Sequence, residues 1–538
     1  MDQFIIYLIL FAIIIAIGQL FNKAIIPVSL ILVIIGMILS FIPGIPSIEI
    51  NPNLVLNVFL PILVYQISSF SSWIDVKKSA RPIALLSIGH VIFITFLVAF
   101  VIHWLIPGIG WPMAFILGAV LSPPDDVAIV SIAEKIHMPH KVVTILQGEG
   151  LFNDATALVL FKFALAALLV QEFSAMHAVS SFFIIIIGEI LYGLLVGHVI
   201  GKLRLYITNS KLYIISALLT PFIAYLPPEM LGGSGILATV IAGFIIGNRY
   251  SPHYQPEYRL VSFAMWPALA FTIQSLLFLL VGLDFRLILQ NISTIPLHDI
   301  FIYSLATILT LILGRFFWVY VFVYFLPRAL FPSLRKKEPS PPWQYPFIVS
   351  WAGMRGSISL AAALAVPFYP MVIEGSNPKA LLLFLVFLVI VFTFILQGLT
   401  LPWLLKKLGI KKIADHEAVS DHITELSTRV VLVNAVLQWL LQYRKEVADD
   451  PKMLEEVKLH IQQYRLVKEN LRERILNHNK NDTYNEQKIT HSQFFIVTQI
   501  IEVERSELVR LWQTQKISLA LRNKLMTRLD HHSRHITP

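Results

Sequence analysis

The sequence contains no cysteine and few charged residues. Without cysteine, its 538 residues can form neither disulfide bonds nor thiolate sites. Only 14% of the residues are charged, against about 25% in soluble globular domains, whereas 56% are hydrophobic. This composition indicates a polytopic membrane protein. The net charge of +9 is typical of basic loops beside anionic lipid, and it does not require a nucleic-acid partner.

Thirteen apolar runs occupy the first three quarters of the chain. A membrane-spanning helix needs about 20 residues, and most of the runs approach or exceed this length. In chain order, runs 1 to 13 lie at residues 4–20, 25–42, 54–72, 83–105, 113–132, 142–170, 182–200, 212–226, 236–247, 266–283, 300–326, 347–367 and 381–403. The sequence therefore predicts an all-α membrane domain of thirteen transmembrane helices over residues 1–410.

Basic residues follow the odd-numbered runs far more often than the even-numbered ones. Lys77, Lys78 and Arg81 follow run 3, for example, and Lys336 and Lys337 follow run 11. By the positive-inside rule, this alternation places the N-terminus outside the cell and the C-terminus in the cytoplasm. An odd number of crossings agrees with that orientation.

Two of the runs are interrupted by helix-breaking residues. Run 5 contains SPPDD at 122–126, where paired prolines remove backbone donors, and run 12 contains GMRG at 353–356. Because the two runs are seven apart, they cross the membrane in opposite directions. Interrupted helices at matching positions of two inverted repeats indicate a midplane binding site of a secondary transporter. The sequence therefore predicts that the two broken helices cross at such a site.

Run 6 carries polar residues where the bilayer favours apolar ones. Glu149 and Asn153 are one helical turn apart and share a face, and Asp154 lies about 100° further round. Because an ionised carboxylate within the bilayer is unfavourable in free energy, such residues usually face the protein interior and serve a function. We therefore interpret Asp154 as the centre of an ion site. Lys162, two turns further on, is more typical of a snorkelling or helix-capping base than of an ion ligand.

A carboxylate at this position suggests a mechanism. A hard monovalent cation needs oxygen ligands, which Asp154 and the carbonyls freed by a broken helix can supply. A proton can neutralise the same carboxylate, so cation and proton would compete for Asp154. If only the loaded forms cross between two access states, exchange is obligatory, with one cation per proton and no net charge moved.

The last quarter of the chain has a different composition. Four lysines at 406–412 mark the end of the membrane domain, and residues 411–538 are rich in Glu, Lys, Arg and Gln with helical spacing of Val and Leu. No glycine-rich phosphate-binding loop is evident there. We expect a cytoplasmic helical tail with a regulatory role.

Three segments carry a resemblance to a known family. Run 5 reads LSPPDDVAIVSIA, run 6 has Glu149 and Asn153-Asp154 followed by ATALVL, and run 12 reads SWAGMRGSISLAAALAVP. These segments resemble the motifs of the monovalent cation:proton antiporter-1 family, the NhaP-type sodium/proton exchangers, in a bacterial branch with S-P-P-D. One such motif would be weak, but three in this order are specific.

The resemblance implies a fold, an activity and residue roles. It implies a homodimer in the bacterial plasma membrane, with helices 4–6 and 11–13 carrying the ion, and exchange of Na⁺ for H⁺ in pH and sodium homeostasis, without a cofactor. Asp154 would hold Na⁺ or the proton, Asn153 would hold the site through its amide, and Asp125 would be a second carboxylate. Glu149 and Arg355 would form a buried ion pair.

Four further residues are expected to support the site: Ser122, Asp126, Gly150 and Arg315. The family usually has serine where this chain has Gly150, and a small or apolar residue where it has Asp126. Because these departures change the set of ion ligands, they affect which monovalent cation the site selects. Arg315 either neutralises the carbonyls of a half-helix or simply packs.

Three alternatives remain open at this stage. A K⁺/H⁺ exchanger of the same fold would share every feature above, and so would an exchanger that takes Li⁺. A cation channel would need a continuous pore. An intramembrane aspartyl protease would use Asp125 and Asp154, but it would carry Tyr-Asp and Gly-x-Gly-Asp motifs, which are missing around both residues. We therefore expect a transporter and not an enzyme.

Overall fold

A computed structural model describes residues 2–21, 27–43, 51–125, 133, 138–170, 175–292, 295–330, 341–366, 378–477 and 494–534. All regular secondary structure within these residues is helical, in agreement with the predicted all-α fold. The chain divides into two compact units. The membrane unit comprises residues 1–251 and 264–411, and the tail unit comprises residues 252–263 and 412–538.

The helices of the first three quarters of the chain follow the predicted apolar runs. They are α1 (Asp2–Leu20), α2 (Val28–Ser40), α3 (Pro52–Phe70), α4 (Ala80–Leu105), α5 (Trp111–Leu121), α6 (His140–Val170), α7 (Ala175–Leu205), α8 (Ser210–Met230), α9 (Ile236–Ile245), α10 (Pro256–Leu283), α11 (Leu297–Leu330), α12 (Gln344–Trp351), α13 (Ser357–Leu364) and α14 (Pro378–Lys407). Short helices at Trp73–Lys78 and Phe285–Asn291 lie between them. Eight helices in the described part of the chain are long and apolar enough to cross a membrane.

Both predicted interruptions are present. α5 ends at Leu121, where the hydroxyl of Ser122 turns back to donate to the carbonyl of Ala119 at 2.9 Å and two prolines follow. Run 12 is split into α12 and α13, which are separated by residues 352–356. The prolines supply no backbone N–H in the first case, and the glycines at 353 and 356 disfavour helix in the second.

The tail unit contains four helices, of which the first three share one apolar core. They are α15 (Ile410–Glu446), α16 (Pro451–Asn477), α17 (Phe494–Gln513) and α18 (Leu519–Arg534). The buried residues of this core are Leu426, Val433, Val436, Leu437, Leu440, Val457, Ile461, Leu471, Ile496 and Ile500. The spacing of the valines and leucines on α15 is the pattern from which the sequence predicts a helix.

The tail unit also includes the beginning of α10. The sequence predicts that run 10 begins at residue 266, whereas the helix begins at Pro256. Arg259 in its first turns is buried and donates from Nε to Asp530 Oδ2 at 2.8 Å, and Arg505 of α17 donates to Asp530 Oδ1 at 3.0 Å. This ion-pair cluster explains why residues 252–263 belong to the tail unit.

Glu504 is a half-buried carboxyl of the tail unit. It lies on α17, which packs against α18, and it faces the charge of Arg528. Burial raises the pKa of Glu504 to about 7, and Arg528 only partly opposes that effect. The carboxyl therefore titrates near neutral pH.

We expect Glu504 to make the tail unit less stable as the pH rises. Because its pKa is higher in the folded protein than in the unfolded chain, its contribution is complete below the unfolded value and is lost as the pH rises through about 7. Hydrogen–deuterium exchange of α17 in the full-length protein, corrected for intrinsic rates, should show weaker protection at about pH 8 than at about pH 5.5. Glu504→Gln should reduce this difference.

The matched control is Glu473→Gln, which makes the same change at an exposed position of α16. It should leave the pH dependence of protection unchanged. Equal protection of α17 at both pH values in the unmodified protein would contradict the assignment.

Candidate functional site

Helix α6 is continuous over 31 residues and carries Glu149, Asn153 and Asp154 of the predicted site. Glu149 and Asn153 are both buried, with exposed fractions of 1% and 0%, whereas Asp154 is half-buried. Of the two acidic residues, Asp154 is therefore the one whose side chain is not fully enclosed by protein.

Asp154 lines a small cavity between three helices. The cavity has a volume of about 20 Å³, which is enough for a water molecule or an ion of similar size. Its other lining residues are Ala119, Val120 and Pro123 at the end of α5, Ala157, Leu158 and Phe161 on α6, and Ile358, Ser359 and Ala362 on α13. The carboxylate thus lies at a cavity bounded by residues next to both interruptions.

Two hydrogen bonds hold the interruptions together. The side-chain amide of Asn153 donates to the carbonyl of Pro124 at 2.8 Å, which fixes α6 against the end of α5. The backbone N–H of Asp125 donates to the carbonyl of Met354 at 2.7 Å, which joins the two breaks directly. Each bond thus gives a backbone group at a break a partner within the protein, which is what a membrane interior without water requires.

The second carboxylate of the site lies at the same place. Asp125 is half-buried and near enough to Asp154 for their charges to interact. A Cβ at Gly356 would lie 2.8 Å from Cγ of Asp125, so only glycine leaves room for this carboxylate. The structure thus brings together Asp154, Asn153 and Asp125, the three residues predicted to bind the ion.

Glu149 forms a buried ion pair with Arg315, and the predicted pairing with Arg355 is wrong. Nη1 and Nη2 of Arg315 donate to Oε1 and Oε2 of Glu149 at 2.5 and 2.8 Å. Both residues are 1% exposed. This two-point contact occupies both carboxylate oxygens of Glu149 and joins α6 to α11. The sequence predicts instead that Glu149 joins α6 to the helix of run 12.

Arg315 also bonds the carbonyls at the end of α12. Its Nε donates to Val349 O at 3.0 Å and its Nη2 to Ala352 O at 3.2 Å. A Cβ at Gly353 would lie 2.7 Å from Cδ of Arg315, so the glycine is what admits the side chain. Of the two roles considered for Arg315, the geometry is that of neutralising half-helix carbonyls.

Arg355 is buried in the break itself, with 1% exposure. Its backbone N–H donates to Thr393 Oγ1 of α14 at 3.2 Å. Among the described residues, Nε and Nη1 of its guanidinium have no hydrogen-bond partner. Arg355 therefore contributes positive charge to the crossing without binding Glu149.

The remaining predicted residues contribute less to the cavity. Ser122 is fully buried, and its hydroxyl is used by the carbonyl of Ala119. Gly150 is half-buried on α6 and offers no side-chain oxygen. Asp126 lies outside the described residues. The Oδ1 atom of Asn153 is buried and has no hydrogen-bond partner within the described part of the chain, so it is a candidate oxygen ligand.

Sequence reasoning missed Glu189 on α7. This carboxylate is 3% exposed and accepts hydrogen bonds from the backbone N–H groups of Ser234, Gly235 and Leu237 at 2.5 to 3.0 Å. It therefore caps the N-terminus of α9, where the helix dipole favours a negative charge. The sequence signal that could have identified it is an acidic residue in the middle of apolar run 7.

The arrangement separates two kinds of buried carboxylate. Glu149 is neutralised by a guanidinium, whereas no described side chain donates to Asp154. Asp154, Asp125 and the amide oxygen of Asn153 are hard oxygen ligands suited to a monovalent cation. A proton can take the place of the cation on Asp154.

We expect strong energetic coupling between Glu149 and Arg315. Each single replacement by Ala should destabilise the protein by about 3–5 kcal/mol, because it leaves a buried charge without its partner. The double replacement should cost clearly less than the sum of the two. Thermal unfolding of the purified protein in detergent measures all three variants.

The cycle of Glu149 with Arg355 is the matched control, since the two do not form an ion pair. The coupling free energy between Glu149 and Arg355 should be smaller than that between Glu149 and Arg315. Additive effects of Glu149→Ala and Arg315→Ala would contradict the observed pair.

The transmembrane sodium/hydrogen exchanger family matches residues 8–407 of the chain. An antiporter from Bacillus pumilus, named for sodium, potassium, lithium and rubidium/H⁺ exchange, is 33% identical over 427 residues, which are 76% of this chain and 62% of that protein. The chain thus spans less than two thirds of this relative. The Escherichia coli protein YjcE, named as an uncharacterised Na⁺/H⁺ exchanger, is 30% identical over 94% of this chain and 93% of its own length.

A solved structure shares the fold. The sodium proton antiporter MjNhaP1 from Methanocaldococcus jannaschii superposes with a TM-score of 0.59 over 75% of this chain and 98% of its own, at 18% identity. The family match covers most of the chain and includes all three motif segments. The resemblance that the motifs carry is confirmed, and the chain belongs to the sodium/hydrogen exchanger family.

Proposed function

We propose that this protein is a secondary antiporter that exchanges a monovalent cation, Na⁺ in the first place, for H⁺ across the membrane. The observation that carries the proposal is the half-buried Asp154 at the junction of two interrupted runs, with Asp125 and Asn153 beside it. The family of the chain and the names of its relatives agree with this function.

Exchange would follow from competition for one carboxylate. Asp154 lacks a fixed cationic partner among the described side chains, so a mobile cation or a proton supplies the charge that neutralises it. An ionised, unneutralised carboxylate within the bilayer is unfavourable, which disfavours movement of the empty carrier between access states. Only the loaded forms would cross, and cation and proton then move in opposite directions.

Competition for one carboxylate would also make transport electroneutral. Either substrate brings one positive charge to Asp154, so the loaded site has the same charge in both directions of travel. Glu149 does not alter this balance, because Arg315 already neutralises it. A second titrating group, of which Asp125 is the obvious candidate, would change the stoichiometry.

The proposal includes the architecture predicted from the sequence. Thirteen transmembrane helices in two inverted repeats would place the crossing of runs 5 and 12 near the membrane midplane. The helices of runs 4–6 and 11–13 would carry the ion, and the others would form the scaffold of a homodimer in the bacterial plasma membrane. The N-terminus would be outside and the C-terminus in the cytoplasm, as the loop charges indicate.

A second candidate function is K⁺/H⁺ exchange, with Li⁺ as a further substrate. The chain has Gly150 where a hydroxyl would bind the ion, and the hydroxyl of Ser122 is used by Ala119. Fewer side-chain oxygens fix the size of the ion less strictly. The names of the Bacillus pumilus and Bacillus subtilis relatives include potassium and lithium as well as sodium.

We further propose that the tail, residues 411–538, regulates exchange and takes no part in binding the ion. Glu504 gives the tail a group that titrates near neutral pH. Under this proposal, Glu504→Gln shifts the pH profile of exchange. A profile identical to that of the unmodified protein would remove Glu504 from regulation.

Asp154→Asn should abolish exchange in proteoliposomes while leaving a folded protein, because an uncharged amide neither gains and loses a proton nor supplies the negative charge that a cation neutralises. The assay drives proton flux with gradients of Na⁺, K⁺ and Li⁺ across a range of pH. It also separates the rivals, since a channel would pass the cation without proton counterflow, and a protease would cleave a membrane peptide.

The control is Asp299→Asn, which makes the same change at the start of α11, away from the residues that line the cavity. It should retain exchange. Substantial exchange by a correctly inserted Asp154→Asn protein would contradict competition of cation and proton for Asp154.

Transport should be insensitive to the membrane potential, because no net charge moves in the cycle. A potential set with valinomycin across proteoliposomes, with Na⁺ as the exchanged cation, tests this point. If the potential alone drives exchange, the one-carboxylate scheme is wrong and a second charge takes part.

A further inference from the structure

Lys162 shares a helix with Asp154. Eight residues separate them on α6, which corresponds to about 12 Å along the helix axis. Because α6 is continuous between them, a movement of the helix that changes the surroundings of Asp154 also moves Lys162.

Lys162 binds the connection between α8 and α9. Its Nζ donates to the carbonyl of Gly233 at 2.5 Å and lies 3.6 Å from Oε1 of Glu229. Both partners come from residues 229–235, which link the end of α8 to the start of α9. The interpretation of Lys162 as a snorkelling base is therefore incomplete, because the ammonium has a specific partner.

The connection itself is held in place by Glu189 of α7. This carboxylate binds the N–H groups of Ser234 and Gly235 directly after Gly233, and it also accepts from the hydroxyl of Ser234. A Cβ at Gly233 would lie 2.7 Å from Oε1 of Glu189, so the backbone is packed against the carboxylate. The carbonyl of Gly233 therefore cannot follow a displaced lysine over several ångströms.

These contacts make the Lys162 bond specific to one position of α6. A shift of the helix by a few ångströms relative to α7–α9 would stretch the 2.5 Å contact beyond hydrogen-bonding distance. An interaction formed in one arrangement and absent from another favours the first arrangement by its own free energy.

We propose that Lys162, Gly233 and Glu229 form a latch that stabilises one of the two access states of the exchanger, and that Glu189 holds the receiving side of the latch. The proposal rests on the proposed antiport function, and it assigns Lys162 a positioning role. The ammonium takes no part in binding the transported cation, since Lys162 lies two turns from Asp154 and is not among the residues that line the cavity.

The latch predicts opposite changes of apparent affinity at the two membrane faces. The apparent dissociation constant of a substrate is divided by the fraction of carriers in the competent state. Lys162→Met removes the latch and lowers the population of the latched state. The half-saturating Na⁺ concentration should then rise at the face which that state opens and fall at the other, and the product of the two fold-changes should be about two- to fivefold.

The experiment measures half-saturating Na⁺ at each face of proteoliposomes with known protein orientation, at equal pH on both sides. Lys162→Arg should restore most of the original values, since it retains the charge and donors. Glu229→Gln, which leaves the Gly233 carbonyl in place, should give a smaller change of the same sign and serves as the second variant if Lys162→Met fails to fold. Lys211→Met, which replaces an exposed lysine, should change neither face.

Changes of the same sign at both faces, or no change at either, would overturn the latch while the unmodified protein still exchanges Na⁺ for H⁺. Absence of exchange by the unmodified protein would instead overturn the proposed function, and the latch with it. A lower thermal midpoint without opposite shifts would mean that Lys162 only stabilises the fold.

Discussion

A helix that is interrupted inside a membrane must find protein partners for its freed backbone groups, because no water is available to them. In this protein the carbonyls of Val349 and Ala352 bind Arg315, and the carbonyl of Pro124 binds Asn153. The charge of Arg315 is in turn balanced by Glu149. The two interruptions are stable because this network satisfies them, and the position of the cavity depends on it.

The network also determines which carboxylate is available for exchange. Both oxygens of Glu149 are bound by one guanidinium, so its charge is compensated without a transported ion. Asp154, one turn further along α6, has no such donor among the described side chains and faces the cavity. Under the proposed mechanism, the pairing of Glu149 with Arg315 leaves Asp154 as the acid for which cation and proton compete.

Local chemistry explains what the sequence predicts correctly. Apolar length places the helices, and proline and glycine place the interruptions, because each acts through neighbouring backbone. Asp154 stands out as an acid in an apolar run. The partner of Glu149 could not be predicted, because the choice between Arg315 and Arg355 depends on which helix packs against α6 and on the space left at Gly353. Both are properties of tertiary packing.

The central claim is that cation and proton compete for Asp154. Its most direct test is the half-saturating Na⁺ concentration for exchange in proteoliposomes, measured on one face as the pH of that face is lowered. Competition predicts that this concentration rises with the proton concentration, while the rate at saturating Na⁺ stays the same. A half-saturating concentration independent of pH, with a maximal rate that falls on acidification, would contradict a shared site.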